Sequence, residues 1–351
     1  MSSIMAKLKS NSTVKDSQIV SESAYFQTKD LVNTGIPMLN VALSGDVDGG
    51  LASGLTVIAG PSKHFKSNIS LVMAAAYMEK HEDAVLLLYD TEFGITPEYL
   101  KTFEIDTDRV LHTPVEHIEQ LKFDLVKQLE EIEKKDHVMI LIDSVGNLAS
   151  KKELEDAMNE KSVADMSRAK ALKGLFRIIT PYLNTRDIPM ICVNHTYKEI
   201  GMFPKDIMSG GTGIYYSANQ IFFMGRRQQK TGTEITGYDF IINVDKSRFV
   251  KEKSRVPISV TWEGGVETYS GLLDVALVGG YVIKPSNGWY QKVDLETGEM
   301  LGNKVREKDT RTKEFWEDLL ADDKFKEFVK GGYQIGGKIR DIEIMDLDEV
   351  A

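Results

Sequence analysis

Cys192 is the only cysteine in the sequence, so an intrachain disulfide is impossible and a cysteine-rich metal site is excluded. That scarcity fits a reducing, cytoplasmic setting. No apolar run approaches the ~18 residues needed to cross a bilayer. The stretch from Met1 to Gln18 is polar and lacks a hydrophobic signal region, which predicts no export. Internal repeats and long low-complexity segments are absent as well. So is an excess of base: 43 Lys and Arg against 53 Asp and Glu leave a net charge of −10. This argues against a general polyanion binder, although binding depends on where the cations sit. From Gly225 to Arg255 eight bases accompany four acids, whereas Asp341 to Ala351 holds five acids and no base.

What is present is the balance of an ordinary globular protein, 42% apolar and 27% charged over 351 residues. That is enough for one large domain with appendages. Four short, continuous apolar runs, Leu55–Ala59, Ala84–Tyr89, Val138–Ile142 and Met190–Val193, suit strands covered on both faces, as in a parallel sheet. Further candidate strands are Gln220–Met224, Tyr238–Val244 and Pro257–Trp262. Ile118, Leu121, Leu125, Leu129 and Ile132 recur at intervals of three and four, which predicts one amphipathic helix. The alternation of strands and helices implies right-handed crossovers and an α/β sheet. Two stretches, Ala149–Lys161 and Thr196–Gly213, resist the pattern and read as loops after strand ends, where ligand-facing loops of open sheets lie. After Ser270 a smaller unit is expected. Cys192 reads as a packed core thiol, and Trp262, Trp289 and Trp316 as core anchors.

The strongest local signal is the run Gly60, Pro61, Ser62, Lys63, His64, Phe65, Lys66, Ser67 between a predicted strand and a helix from Asn68 to Lys80. It approximates G-x-x-x-x-G-K-[ST], in which backbone N–H groups and a helix N-terminus cradle phosphates. Lys66 would bring positive charge to the β- and γ-phosphates, and the Ser67 hydroxyl would complete a Mg²⁺ shell. Phe65 stands where glycine is expected. A bulky residue strains a position of positive φ, so the loop is expected to adopt a form that tolerates a Cβ. Taken alone, the run also fits a polar turn before a helix. Asp143 ends an apolar strand and is suited to hold a Mg²⁺-bound water, or to cap a helix. Glu92 follows another strand and is placed to orient an attacking water, or to lie in a solvated loop. Lysine, glutamate and aspartate on three strand ends point together to a nucleotide hydrolase.

The order and spacing resemble the RecA-like strand-exchange recombinases, most closely the UvsX recombinases of T-even bacteriophages. The resemblance runs from about Tyr25 to about Ile335. It rests on Gly35–Gly45, the phosphate loop, Tyr89–Pro97, Ile142–Leu148, Asn194-His195, Gly210–Gly213, Tyr269–Asp274 and Gly288–Tyr290. Those phage recombinases also carry phenylalanine before the loop lysine.

The resemblance implies an α/β fold: a RecA-type P-loop ATPase core (31–270) with a central, mostly parallel sheet. It adds an N-terminal polymerisation arm (1–30), a small α+β C-terminal domain (271–338) and an acidic tail (339–351). It implies ATP and Mg²⁺, with Glu92 activating water, Tyr99 stacking on adenine, and Asn194 and His195 sensing the γ-phosphate. Bacterial RecA has glutamine at the second of these two positions, so His195 keeps a hydrogen-bonding role and adds a titratable group. Two DNA-binding loops are implied, about 150–161 and 196–210. Gly210, Gly211 and Thr212 would let backbone approach phosphates, and Lys161, Arg168, Lys170, Lys198 and Lys205 would add charge. Arg226 and Arg227 match paired arginines of a second DNA site, although Ile241 and Asn243 stand where other bases would be expected. Lys246 and Arg248 match a basic pair that reaches the ATP of the adjacent protomer.

The implied activity is ATP-dependent homologous pairing and strand exchange by a helical filament on single-stranded DNA, taking up double-stranded DNA. It would operate in the cytoplasm of a phage-infected bacterium, helped by a single-strand binding protein and a mediator, with no membrane involved. A ring-forming helicase on the same core and a non-catalytic ATP-binding filament protein are the alternatives.

Overall fold

The computed structural model describes residues 3–14, 17–23, 30–159, 167–199, 201–202 and 206–336. Lys161, Lys205, the expected acidic tail and the start of the resemblance near Tyr25 lie outside the described residues. The chain divides into two compact units, Met1–Asp30 and Leu31–Ala351. In the first, helix α1 (Ser3–Asn11) exposes Ile4 and Leu8, one turn apart on one face. Lys9 pairs with Glu22 of a short 3-10 turn at 3.6 Å.

The second unit is built on a sheet whose strands, in chain order, are β1 (Gly54–Gly60), β2 (Val85–Asp90), β3 (Val110–Pro114), β4 (Val138–Asp143), β5 (Pro189–Lys198), β6 (Asp206–Met208), β7 (Gln220–Thr231), β8 (Glu234–Lys246), β9 (Arg255–Thr261) and β10 (Gly265–Val266). Their spatial order is β10-β9-β8-β7-β1-β5-β4-β2-β3, with β6 hydrogen-bonded to β5. From β7 through β1 to β3 all neighbours run parallel, whereas β7 to β10 form an antiparallel extension. Helices α2 (Pro37–Ser44) and α3 (Lys66–Lys80) cover one face. The short α4 (Pro97–Lys101) follows β2, and α5 (Ile118–Glu131) lies on the other face. Strand alternation divides β1 between the two cores: Ile58 joins the first, and Leu55, Val57 and Ala59 the second.

The seven expected strands are all present, but the sheet also contains β3. None of its five residues is buried, which leaves no apolar run to detect. Two expected loops are corrected. Within 149–161, Lys151–Met158 is a helix, α6, started by a reciprocal capping box in which Ser150 Oγ accepts from Glu153 N at 3.2 Å and Glu153 Oε2 from Ser150 N at 2.6 Å. Within 196–213, β5 continues to Lys198 and turns back as β6. Helix α7 (Ser167–Thr185) packs on α5 and on α8 (Gly213–Ser217).

Beyond these, α9 (Leu272–Val278), a three-stranded antiparallel sheet of β11 (Val282–Ser286), β12 (Trp289–Val293) and β13 (Met300–Arg306), and helices α10 (Lys313–Ala321) and α11 (Asp323–Tyr333) complete the unit. Leu272, Trp316 and Phe325 belong to the same buried cluster as Met38 of α2. Trp316 is the core anchor expected. Trp262 is not: it is 62% exposed, with Nε1 donating to Ile235 O at 2.9 Å. Trp289 is half-buried beneath Lys304 and Arg306, at 5.0 and 4.1 Å from its ring.

Candidate active site

Because β1, β2, β4 and β5 are parallel, their C-terminal ends share one edge of the sheet. Register places Gly60 beside His195 and Asp90 beside Asp143. After β1 the chain turns into α3 through Lys63 and Phe65, both left-handed at φ 61°. The expectation that phenylalanine would avoid positive φ is therefore overturned. Its ring stacks on Phe240 at 4.7 Å and 16°, which offsets the backbone strain. Lys66 is buried, and its ammonium donates to Pro61 O at 2.8 Å. Burial lowers its pKa, against the opposing charges of Asp143 and Glu92.

Asp90, fully buried, shapes the turn after β2. Its Oδ1 accepts from the N–H groups of Glu92 (2.9 Å) and Phe93 (2.8 Å), while Oδ2 meets His112 Nε2 at 3.2 Å. Glu92 is thereby held over the end of β4. Three donors converge on Glu92 Oε1: Ser144 Oγ at 2.7 Å, His195 Nε2 at 2.8 Å and Asn147 Nδ2 at 3.1 Å. Oε2 has no partner among the described residues. Burial alone would raise the Glu92 pKa, but the hydrogen bonds from Ser144 and His195, with the charge of Lys66, hold it below the ordinary carboxylate value.

Asp143 behaves oppositely. Burial, the strongest influence, together with the charges of Glu92 and Asp90, pushes its pKa up to about 6 against the Ser67 hydroxyl and Lys66. Its Oδ1 is buried with no hydrogen-bond partner among the described residues. An orphaned carboxylate oxygen beside a serine hydroxyl fits a hard divalent cation with oxygen ligands, so the residues present suit Mg²⁺. Tyr99 packs on the first core with its ring edge-on to Phe103 at 5.4 Å, and Asn68 of α3 opposes the rise in pKa that burial imposes on its hydroxyl.

From His195 the site continues into the neighbouring loops. Buried Asn194 accepts from His195 N at 2.8 Å and donates to Ser209 O at 2.9 Å. Arg168 takes a different role from the free charge expected. Its guanidinium donates to Leu148 O (2.7 Å), Gly146 O (2.8 Å), Val145 O (3.0 Å) and Ser209 Oγ (3.1 Å), clamping the loop after β4 to the one after β6. Gly210 and Gly211 have φ of 93° and 77°, and a Cβ on Gly210 would meet Leu172 at 2.4 Å, so both need glycine for backbone reasons. Thr212 and Lys170 are exposed, and Lys198 is paired with Asp206 at 2.9 Å.

Strand alternation puts Arg226 and Arg227 on opposite faces of β7, so they do not form one doubly charged patch. Arg227 holds Asp239 at 2.9 Å, whereas Arg226 reaches the Lys63 carbonyl at 3.2 Å. At the end of β8, Lys246 donates to Tyr215 O at 2.7 Å, while Arg248 is exposed.

Residues 10–267 match the family model described as RecA N-terminal domain, and residues 269–329 the one described as Bacteriophage T4, Recombination and repair protein, C-terminal domain. The chain belongs to the RecA family. It is 52% identical to the Recombination and repair protein of Enterobacteria phage T4 over 96% of this chain and 87% of that protein. Against Protein RecA of Tropheryma whipplei the identity is 28%, covering 77% of this chain and 60% of the other. Against Protein RecA of Streptomyces rimosus it is 27%, covering 74% and 68%.

Four residues of this RecA-family site were not singled out from sequence. Ser144 and Asn147 supply two of the three donors to Glu92, and Asp90 holds its turn. Gly146 leaves room for His195, whose Cδ2 would lie 2.5 Å from an added Cβ. Asp90 had a local signal, since an aspartate two residues before a loop amide commonly folds an Asx-turn.

Proposed function

We propose that this chain hydrolyses ATP at the shared edge of its parallel strands and couples the turnover to its grip on DNA. It is a DNA-dependent ATPase of the RecA family and acts as a recombinase in recombination and repair. No helix among the described residues is long and apolar enough to cross a membrane.

The phosphate loop and the start of α3 hold the triphosphate, with Lys66 on the β- and γ-phosphates. Glu92, fixed through Oε1, keeps Oε2 available to orient and polarise water for in-line attack. Ser67, and Asp143 through a water, would hold Mg²⁺, which would supply positive charge to offset the charge that develops on the phosphates. Tyr99, with Asn68 beside it, takes the adenine. The link from Glu92 through His195 and Asn194 to Ser209 supports transmission of the γ-phosphate state into the loop around β6.

Lys246 and Arg248 serve the ATP of a neighbouring protomer in a head-to-tail assembly that does not close, and so grows as a filament. In that assembly residues 1–30 form the arm, 31–270 the ATPase core, 271–338 the C-terminal domain and 339–351 an acidic tail. The filament forms on single-stranded DNA and takes up a duplex for pairing and exchange. Its setting is the cytoplasm of a phage-infected bacterium, where a single-strand binding protein and a mediator assist.

The observation that carries this reading is the convergence on Glu92 Oε1 of three donors, from β4's loop and β5, beside Lys66 and Asp143. Phosphate release measured with and without single-stranded DNA tests it. Strong stimulation, lost in Lys66→Ala, is expected; a wild type that releases no phosphate would overturn it.

A further inference from the structure

The phosphate loop contains two left-handed residues that are not glycine, Lys63 and Phe65, separated only by His64. Such a conformation persists where the surroundings over-determine it. Each of the two has its own outside anchor, and both anchors come from the β7–β8 hairpin. Arg226 Nη1 donates to the Lys63 carbonyl at 3.2 Å, and Phe240 stacks on the Phe65 ring at 4.7 Å.

The anchors are themselves joined. Arg226 lies opposite Phe240 in the β7–β8 register. Its guanidinium sits 4.7 Å over the ring of Tyr238, which packs against Phe240 at 5.9 Å. One face of the hairpin thus presents a continuous assembly of Arg226, Tyr238 and Phe240 to the loop. Phe240 and Tyr238 belong to, or pack on, the buried core that also takes Phe65, so the assembly rests on rigid strands.

We propose that Arg226 is a positioning residue of the phosphate loop, acting with Phe240 to hold Lys63 and Phe65 in the nucleotide-binding shape that glycine would otherwise supply. Arg226 therefore serves the nucleotide pocket rather than only the DNA face on which sequence places it. Lysine does not replace it, because the role needs a planar fork that stacks on Tyr238 while donating to a carbonyl.

The inference rests on the ATPase reading, and the test separates the two. A fluorescent ATP analogue is titrated against the full chain without DNA, and the KM for ATP and kcat are measured with saturating single-stranded DNA. Arg226→Ala and Arg226→Lys are expected to weaken analogue binding and raise KM about tenfold, near 1.4 kcal/mol, with kcat within twofold. Phe240→Leu should behave alike. In a Lys63→Gly background the residue whose carbonyl Arg226 holds adopts positive φ unaided, so adding Arg226→Ala should change KM less than twofold. Unchanged analogue affinity in Arg226→Ala, or an undiminished effect in the glycine background, overturns the positioning role. A wild type that binds no nucleotide overturns the ATPase reading with it.

Discussion

His195 Nε2 lies 2.8 Å from Glu92 Oε1, joining the carboxylate proposed to orient water to the strand that leads into the β5–β6 hairpin. The imidazole thus fixes the carboxylate and, through its own backbone, the start of that hairpin, where Ser209 N donates to His195 O at 2.9 Å. His195→Gln should preserve DNA-stimulated hydrolysis within a few-fold, because the amide can still donate to Glu92. His195→Ala should lose most of the stimulation while a DNA-independent rate remains. Steady-state phosphate release at a series of single-stranded DNA concentrations checks both.

Glu92→Gln removes the charge proposed to polarise water while keeping an acceptor for Ser144. Turnover is expected to fall by about 10²–10⁴-fold, the range of a lost general base. Nucleotide affinity should change little, since Lys66 and the loop amides remain. Paired measurements of hydrolysis and of equilibrium binding of an ATP analogue separate the two effects.

Asp143 sets a pH dependence of definite sign. Its carboxyl is pushed up to about 6, above the ordinary value, so the folded chain binds a proton that the unfolded chain has already lost. Without metal, this group lowers folding stability as pH rises from the ordinary carboxylate value to about 6. In the proposed Mg²⁺ site the ionised form is the one that binds, so apparent Mg²⁺ affinity should fall about tenfold per pH unit below 6. Mg²⁺ titrations of ATPase activity between pH 5 and pH 8, compared with Asp143→Asn, test this. A flat affinity across that range would rule it out.

Arg168 is predicted to matter as a clamp. Arg168→Ala leaves carbonyls of Val145, Gly146 and Leu148 without their donor, which should cost about 2–3 kcal/mol of stability. DNA affinity should weaken as well, but the slope of log affinity against log salt should stay the same, since no phosphate contact is lost. Thermal unfolding and salt-series binding provide the readouts. A slope reduced by about one would instead mark Arg168 as a phosphate ligand.

The fold was readable where burial on both faces produces continuous apolar runs, as in β1, β2, β4 and β5, all entirely or nearly buried at their centres. β3 escaped notice because an edge strand with exposed Leu111 has no such run. The helix Lys151–Met158 carried a legible start signal, Ser150 followed by Glu153. Its lack of a buried face removed the periodicity that usually marks a helix. At the site, Lys66, Glu92 and Asp143 could be picked out because each follows a strand. Ser144 and Asn147 could not, and His195 stood out only through the family resemblance, because all three meet Glu92 through strand order and register. The pairing of Phe65 with Phe240 was hidden for the same reason, as the two lie far apart in sequence and touch through the sheet.

Cys192 sits at 0% exposure in the middle of β5, where burial drives its thiol far above the usual range and leaves it unreactive. The chain therefore suits maleimide chemistry without first removing its native thiol. A cysteine substituted for Met158, which is 83% exposed at the end of α6, would be the sole labelled position, able to carry a dye that follows this segment as the polymer loads and releases its strand.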